Sequence, residues 1–166
     1  MAFPEDLLEQ ARHLARRDPK RPKQASLRRA VSTAYYALFH LLIVETTKNW
    51  KRPEERFTLA RMFEHALMAK ACVSKRDALN AHFKRNPPQS TRLDIDKHLH
   101  AVTETFVEML QHRHTADYDS STKWTRTETL EKLDTVQAAF QSWKSIRKSH
   151  DAQNFLVTLL LKERKV

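Results

Sequence analysis

Within the eight residues 112–119 the chain places His112, Arg113, His114, Asp117, Tyr118 and Asp119. Histidine exchanges a proton near neutral pH, arginine grips phosphate oxygens through two parallel N–H groups, and tyrosine donates a proton or stacks on a base. Metal-free cleavage of RNA needs a base to activate the ribose 2′-hydroxyl, an acid for the leaving oxygen and a cation for the charged transition state. This segment supplies residue types for all three roles. Arg113, His114, Asp117 and Tyr118 are therefore the candidate catalytic residues, with Tyr36, His40 and His112 as candidate supporting groups.

The positioning of Arg113 follows from helical periodicity. Leu99, Val102, Phe106 and Leu110 form the inward face of a helix expected over residues 94–114, and the same period leads on to Arg113 and then Asp117. A guanidinium carried toward the buried side needs a carboxylate, a helix terminus or an anionic ligand. Two readings follow. One is an Arg113–Asp117 pair that closes the helix end, an i,i+4 contact worth roughly 0.3–0.5 kcal/mol. The other is an arginine that reads phosphate and is held in place by its neighbours.

A second helix, expected over residues 25–46, places Val31, Ala34, Tyr35, Leu38, Leu41 and Leu42 on one side, with Phe39 and Ile43 on a flank. It is nearly apolar all round, the pattern of a central helix. Arg29, Thr33, Tyr36 and His40 lie within about 60° of one another on its remaining side, a narrow polar stripe in need of partners.

Around these two helices the pattern predicts further helical elements. Leu7, Leu8, Ala11, Leu14 and Ala15 mark a first helix over residues 4–17, stopped by Asp18-Pro19. After a connector over residues 18–24 and a break over 49–53, a third helix is expected over 54–72. Ser74 then caps a short fourth helix to residue 84, and Pro87-Pro88 mark an irregular loop over 85–90. Thr125 and Glu128 have the capping-box spacing and open a sixth helix with Leu130, Leu133, Gln137, Phe140 and Trp143 inward. The apolar tail over 151–161 needs cover, either by continuing that helix or by docking on a second copy of the chain.

The composition narrows the function classes. The 166 residues fit one domain over 1–166, with a core at about 5–145 and a C-terminal extension over 151–166 that can be helical. There is no glycine, so glycine-rich phosphate loops and dinucleotide fingerprints are absent. Thirty Lys and Arg against twenty Asp and Glu leave a net charge of +10, which makes a polyanion the first partner to consider. Residues 12–29 hold eight basic residues and one acid, Asp18. Arg16, Arg17, Lys20, Arg21, Lys23, Arg28 and Arg29 are the candidate nucleic-acid-binding residues in this stretch, which otherwise reads as a solvated face.

The one cysteine, Cys72, reads as core filler and cannot form an internal disulfide. His98 and His100, like His112 and His114, stand two residues apart and point about 200° from one another on a helix, so neither pair chelates. No metal and no cofactor is expected. The longest weakly polar run, residues 30–44, falls short of the roughly twenty apolar residues that span a bilayer. The N-terminus lacks the basic start and apolar stretch of a signal peptide. The expectation is a cytoplasmic protein without a membrane partner.

Two strings carry a family resemblance. Leu27-Arg-Arg-Ala-Val-Ser-Thr-Ala-Tyr-Tyr-Ala-Leu-Phe-His40 on the second helix and Arg113-His-Thr-Ala-Asp-Tyr-Asp119 before the last amphipathic helix together resemble the HEPN family, named for higher eukaryotes and prokaryotes nucleotide binding. The likeness covers about residues 5–145. It implies an all-α fold, an antiparallel bundle of four to five main helices plus short helices, that forms a homodimer with a composite cleft at the dimer interface. It further implies an RNA-binding protein or metal-independent ribonuclease of toxin–antitoxin or defence systems or, as the alternative, a catalytically inactive module that binds a nucleotide or a partner protein such as a nucleotidyltransferase-type antitoxin. The family's catalytic motif is an arginine and a polar residue, with a histidine after four to six intervening positions. Arg113 and His114 fit its start, but Tyr118, Asp119 and Ser120 occupy the positions where the histidine belongs. Three alternatives follow: Tyr118, His112 or His114 substitutes for it, His40 reaches in from the second helix, or the domain binds without cutting.

Overall fold

A computed structural model describes residues 2–85 and 91–162. The described residues are all-α: α1 (Phe3–Arg16), α2 (Gln24–Thr47), a 3-10 turn (Pro53–Glu55), α3 (Arg56–Ala60), α4 (His65–Arg85), α5 (Thr91–Tyr118), α6 (Arg126–Ile146) and α7 (His150–Thr158), with no strand among them. The chain divides into two compact units. One comprises Met1–Leu41 and Thr105–Phe140, the other Leu42–Glu104 and Gln141–Val166.

The first unit is an antiparallel arrangement of α1 with parts of α2, α5 and α6. Phe3 meets His40, which sets α1 against the far end of the α2 segment. Arg28, Ser32 and Tyr36 meet Asp119, Asp117 and Arg113 in that order, so α2 and α5 run in opposite directions. Arg12 pairs with Asp134 at 2.8 Å while Ala15 receives Arg126, giving α1 and α6 the same relation. The predicted face of α2 is buried, and so are its flanks: Val31, Ala34, Tyr35, Leu38, Phe39 and Leu41 are all in the core. Tyr35 is fully enclosed, with Phe106 of α5 at 5.5 Å between ring centroids.

Side chains tie the ends of these helices. Pro4 in the first turn of α1 and the acidic Glu5 and Asp6 suit a helix N-terminus, where N–H groups lack intrahelical partners. Asp18 in the connector accepts from Ser26 Oγ at 2.8 Å and from the Lys23 backbone N–H at 3.3 Å. Arg126 donates to the carbonyls of Ala15, Asp18 and Pro19. Gln24 exchanges two hydrogen bonds with the backbone of Trp124, at 2.7 and 2.9 Å. The Thr125–Glu128 capping box is formed, with Thr125 Oγ1 and the Glu128 carboxylate 2.9 Å apart.

The second unit buries Met68, Cys72 and Leu79 of α4, Leu99 and Val102 of α5, Trp143 and Ile146 of α6, and Phe155 and Leu156 of α7. Burial pushes the Cys72 thiol far above its ordinary range, which suits a core residue. Glu45 is buried near the end of α2. Desolvation alone would raise its pKa, but Lys48 at 2.6 Å, Trp143 and Arg147 at 3.8 Å hold it below the ordinary value.

Four elements differ from the sequence pattern. The helix expected over 54–72 is broken at residues 61–64, and α4 runs from His65 straight through Ser74, which caps nothing. The apolar period Met68, Cys72, Leu79 continues past Ser74, and one serine costs a helix only a few tenths of a kcal/mol. Arg85 belongs to α4, while residues 86–90 of the expected loop lie outside the described residues. Helix α5 begins three residues earlier and ends four residues later than expected, at Thr91 and Tyr118. The tail neither continues α6 nor stays uncovered: Ser149 caps a separate helix, accepting from the Ala152 N–H at 3.2 Å, and Phe155, Leu156 and Leu159 are buried within the unit. Residues 163–166 of the extension lie outside the described residues. Among the described residues no helix is long and apolar enough to cross a membrane.

Candidate functional site

The last turns of α5 face α2 within the first unit, and Arg113 occupies the contact. Its side chain is 15% exposed. Nη2 donates to the Tyr36 hydroxyl at 3.0 Å. Nε lies 3.0 Å from Asp117 Oδ2, but its N–H is not aimed at the oxygen, so the contact is an ion pair and not an aligned hydrogen bond. Cζ stands 6.0, 5.5 and 5.9 Å from the ring centroids of Tyr35, Tyr36 and Tyr118. Ring quadrupoles at such distances attract a cation. Asp117 in turn accepts from Ser32 Oγ at 3.3 Å.

The guanidinium is thus inward, as the α5 periodicity requires, with the i+4 carboxylate beside it. The surroundings open on one side. Tyr118 is 75% exposed, and the exposed His114 stands with its ring centroid 6.2 Å from that of Tyr118. Arg113, Asp117, Tyr118, His114 and Tyr36 are therefore brought together.

The other histidines are directed elsewhere. His112 packs edge-on against Trp124 at 5.9 Å, and burial, helped by the charge of Lys132, lowers its pKa. His40 stands one turn beyond Tyr36, with Phe3 edge-on at 4.9 Å, and burial lowers its pKa as well. Both rings are therefore held toward the neutral form. Asp119 closes the turn after α5: it accepts from the Ser121 hydroxyl, the Thr122 hydroxyl and the Ser121 N–H, which together hold its carboxyl far below the usual range.

The basic stretch divides. Arg16, Arg17, Lys20, Arg21, Lys23 and Arg29 are exposed. Arg28 is turned inward: Nη1 donates to the carbonyls of Ala116 at 2.9 Å and Asp119 at 2.7 Å, and Nη2 to that of Thr122 at 2.6 Å. The first of these bonds satisfies a carbonyl in the last turn of α5, and the other two brace the turn that follows it. Arg28 thus belongs to the support of the site and not to its cationic surface.

Sequence reasoning missed Ser32, Gln24 and Arg126. Ser32 stands one turn before Tyr36 and is the one of the three with a signal in the pattern; nothing in the linear order marks Gln24 or Arg126 as clasps. His98 Nδ1 lies 3.1 Å from Ser142 Oγ and His100 Nε2 lies 2.8 Å from Asn80 Oδ1, so these two rings take different partners. Among the described residues no group of three His, Cys, Asp or Glu is placed to hold a metal ion.

No protein-family model, curated protein or solved structure matches this chain.

Chemically, the site presents a clamped cation. One of the five guanidinium donors of Arg113 is directed at Tyr36, while Asp117 balances the charge as an ion pair. The Arg113 side chain is already restricted by three tyrosine rings, so little ordering entropy opposes a further contact to its guanidinium.

Proposed function

We propose that this protein is an HEPN-like helical module that binds RNA, with Arg113 contacting a phosphate at the rim formed by His114 and Tyr118. The observation that carries this reading is the setting of Arg113: a guanidinium held among Tyr35, Tyr36 and Tyr118, with the Tyr118 ring open to solvent. The net charge of +10 and the exposed Arg16, Arg17, Lys20, Arg21, Lys23 and Arg29 supply sequence-independent attraction to the strand. A homodimer, a toxin–antitoxin or defence setting and a nucleotidyltransferase-type partner belong to the same reading through the family resemblance.

A second reading is cleavage, in which His114 and Tyr118 exchange protons with the ribose and the leaving oxygen. The adjacency of those two rings supports it. The ion pair with Asp117 favours binding without cutting, because it offsets the charge that a transition state would require. The test is RNA incubated with the protein in the presence of a chelator and read on native and denaturing gels. Retarded RNA of unchanged length supports the binding module. Shortened RNA that is restored to full length by Arg113→Ala supports the nuclease. Neither retardation nor shortening overturns both.

A further inference from the structure

The polar stripe of α2 does not end at Tyr36. Arg29, Thr33, Tyr36 and His40 line one wall of a groove of about 390 Å³ within the first unit, and Phe3 and Leu14 of α1 stand on the other wall. From Arg29 to His40 the helix rises about 16 Å, at 1.5 Å per residue, which exceeds the length of a single nucleoside. The two ends differ in chemistry. Arg29 at one end is exposed and borders the corner where α1 stops and α2 begins, so the exposed Arg16, Arg17, Lys20, Arg21 and Lys23 continue its positive charge outward. At the other end Phe3 is 55% exposed, although its ring already meets His40 edge-on at 4.9 Å. A large aromatic ring left open at the rim of a groove that mixes apolar side chains, Leu7 and Leu14, with hydroxyls and one cation, Arg29, has the makings of a stacking platform. Midway, the Tyr36 hydroxyl joins the groove to Arg113.

We propose that this groove is a subsite for a short single-stranded RNA segment, with one base against Phe3 and His40 and a phosphate on Arg29. The proposal rests on the RNA-binding reading above but on different residues. Charge selects a polyanion over a neutral or basic peptide, and the open aromatic ring selects an unpaired strand, because duplex RNA keeps its base faces stacked out of reach. The occupant runs along α2, from the cationic corner to the N-terminal turn of α1.

The test is fluorescence anisotropy with a short labelled oligouridine and, separately, a blunt RNA duplex, using the full chain and the variants Phe3→Leu and Arg29→Gln. Phe3→Leu keeps apolar bulk at an exposed position, and circular dichroism checks that each variant is folded. Arg61→Gln removes an equal charge from an exposed position in the second unit and serves as the control. The expected result is that Phe3→Leu weakens oligouridine binding by about fivefold or more, within the range that one stacked base supplies, and Arg29→Gln by about fivefold through its lost phosphate contact, with duplex binding and the control within about twofold of the unaltered chain. Unchanged oligouridine affinity in either groove variant overturns the subsite and leaves the RNA-binding reading standing. Equal losses on oligouridine and duplex reduce the groove to general charge attraction and overturn it as well. An unaltered chain that binds neither RNA overturns the subsite together with the reading on which it rests.

Discussion

Arg113 Nη2 donates to the Tyr36 hydroxyl at 3.0 Å, and through this bond the last turns of α5 are joined to the polar stripe of α2. Tyr36→Phe deletes the acceptor while keeping the ring that the guanidinium faces. The expected loss is about 1.5 kcal/mol in urea unfolding, the lower end of what a hydrogen bond to a charged group contributes. A loss indistinguishable from zero would show that the bond contributes nothing to joining the helices.

Asp117 offsets the charge of Arg113 from within its own helix. Asp117→Asn should therefore strengthen RNA binding a few-fold at low salt, because the guanidinium then offers its full charge to phosphate. Weakened binding in this variant would give Asp117 a direct part in RNA contact.

Arg28 and Arg29 are neighbours with opposite duties. Arg28→Ala leaves the carbonyls of Ala116, Asp119 and Thr122 without their charged donor and should cost at least about 2 kcal/mol. Arg29→Ala, at an exposed position, should stay within about 0.5 kcal/mol of the unaltered chain. Urea unfolding of the pair decides it, and equal losses would contradict the division.

Burial lowers the pKa of both His40 and His112 in the folded chain, with Lys132 adding to the shift at His112. The unfolded chain then binds more protons below about pH 6.5, so stability is full above that value and declines as the pH falls toward the folded-state values. Asp119 acts further down: its lowered pKa adds stability at neutral pH that is lost as the solution is acidified below the ordinary Asp value of 3.8. Melting temperature followed from pH 8 downward should fall first with the histidines, and the double variant His40→Gln, His112→Gln should flatten that first step. An unaltered first step would show that neither ring carries it.

The cationic corner should set the salt dependence. Each Lys or Arg that contacts phosphate on a single strand contributes about 0.7 to the slope of log affinity against log salt. Lys20→Gln with Arg21→Gln should lower the magnitude of that slope by about 1.4 if both contact phosphate, as read from RNA titrations across a salt series; an unchanged slope would remove the corner from the interface.

The helical class, the central role of α2 and the inward course of Arg113 toward Asp117 were legible because each follows from a period of about 3.6 residues carried by unambiguous apolar positions. The break at residues 61–64 was not, since no proline or glycine stands there to announce it. Nor could the order of residues separate Arg28 from its basic neighbours. Its partners are backbone carbonyls some 90 positions away, and carbonyls have no letter in a sequence. The same blindness hid Arg126 and Gln24. The polar stripe was visible as a pattern, but its other wall is supplied by α1, and only the antiparallel placement of Phe3 against His40 turns it into a groove.

A chain without glycine, and with no left-handed residue among those described, forgoes the tightest way for backbone alone to end a helix. Arg28 and Arg126 perform that duty by reaching across to the end of another helix, and Gln24 braces the connector that leads into α6. Each splice is then a property of two distant segments at once, so the corners of the first unit should resist insertion of extra residues more stubbornly than surface turns ordinarily do. Lengthening one corner slackens the element that grips it.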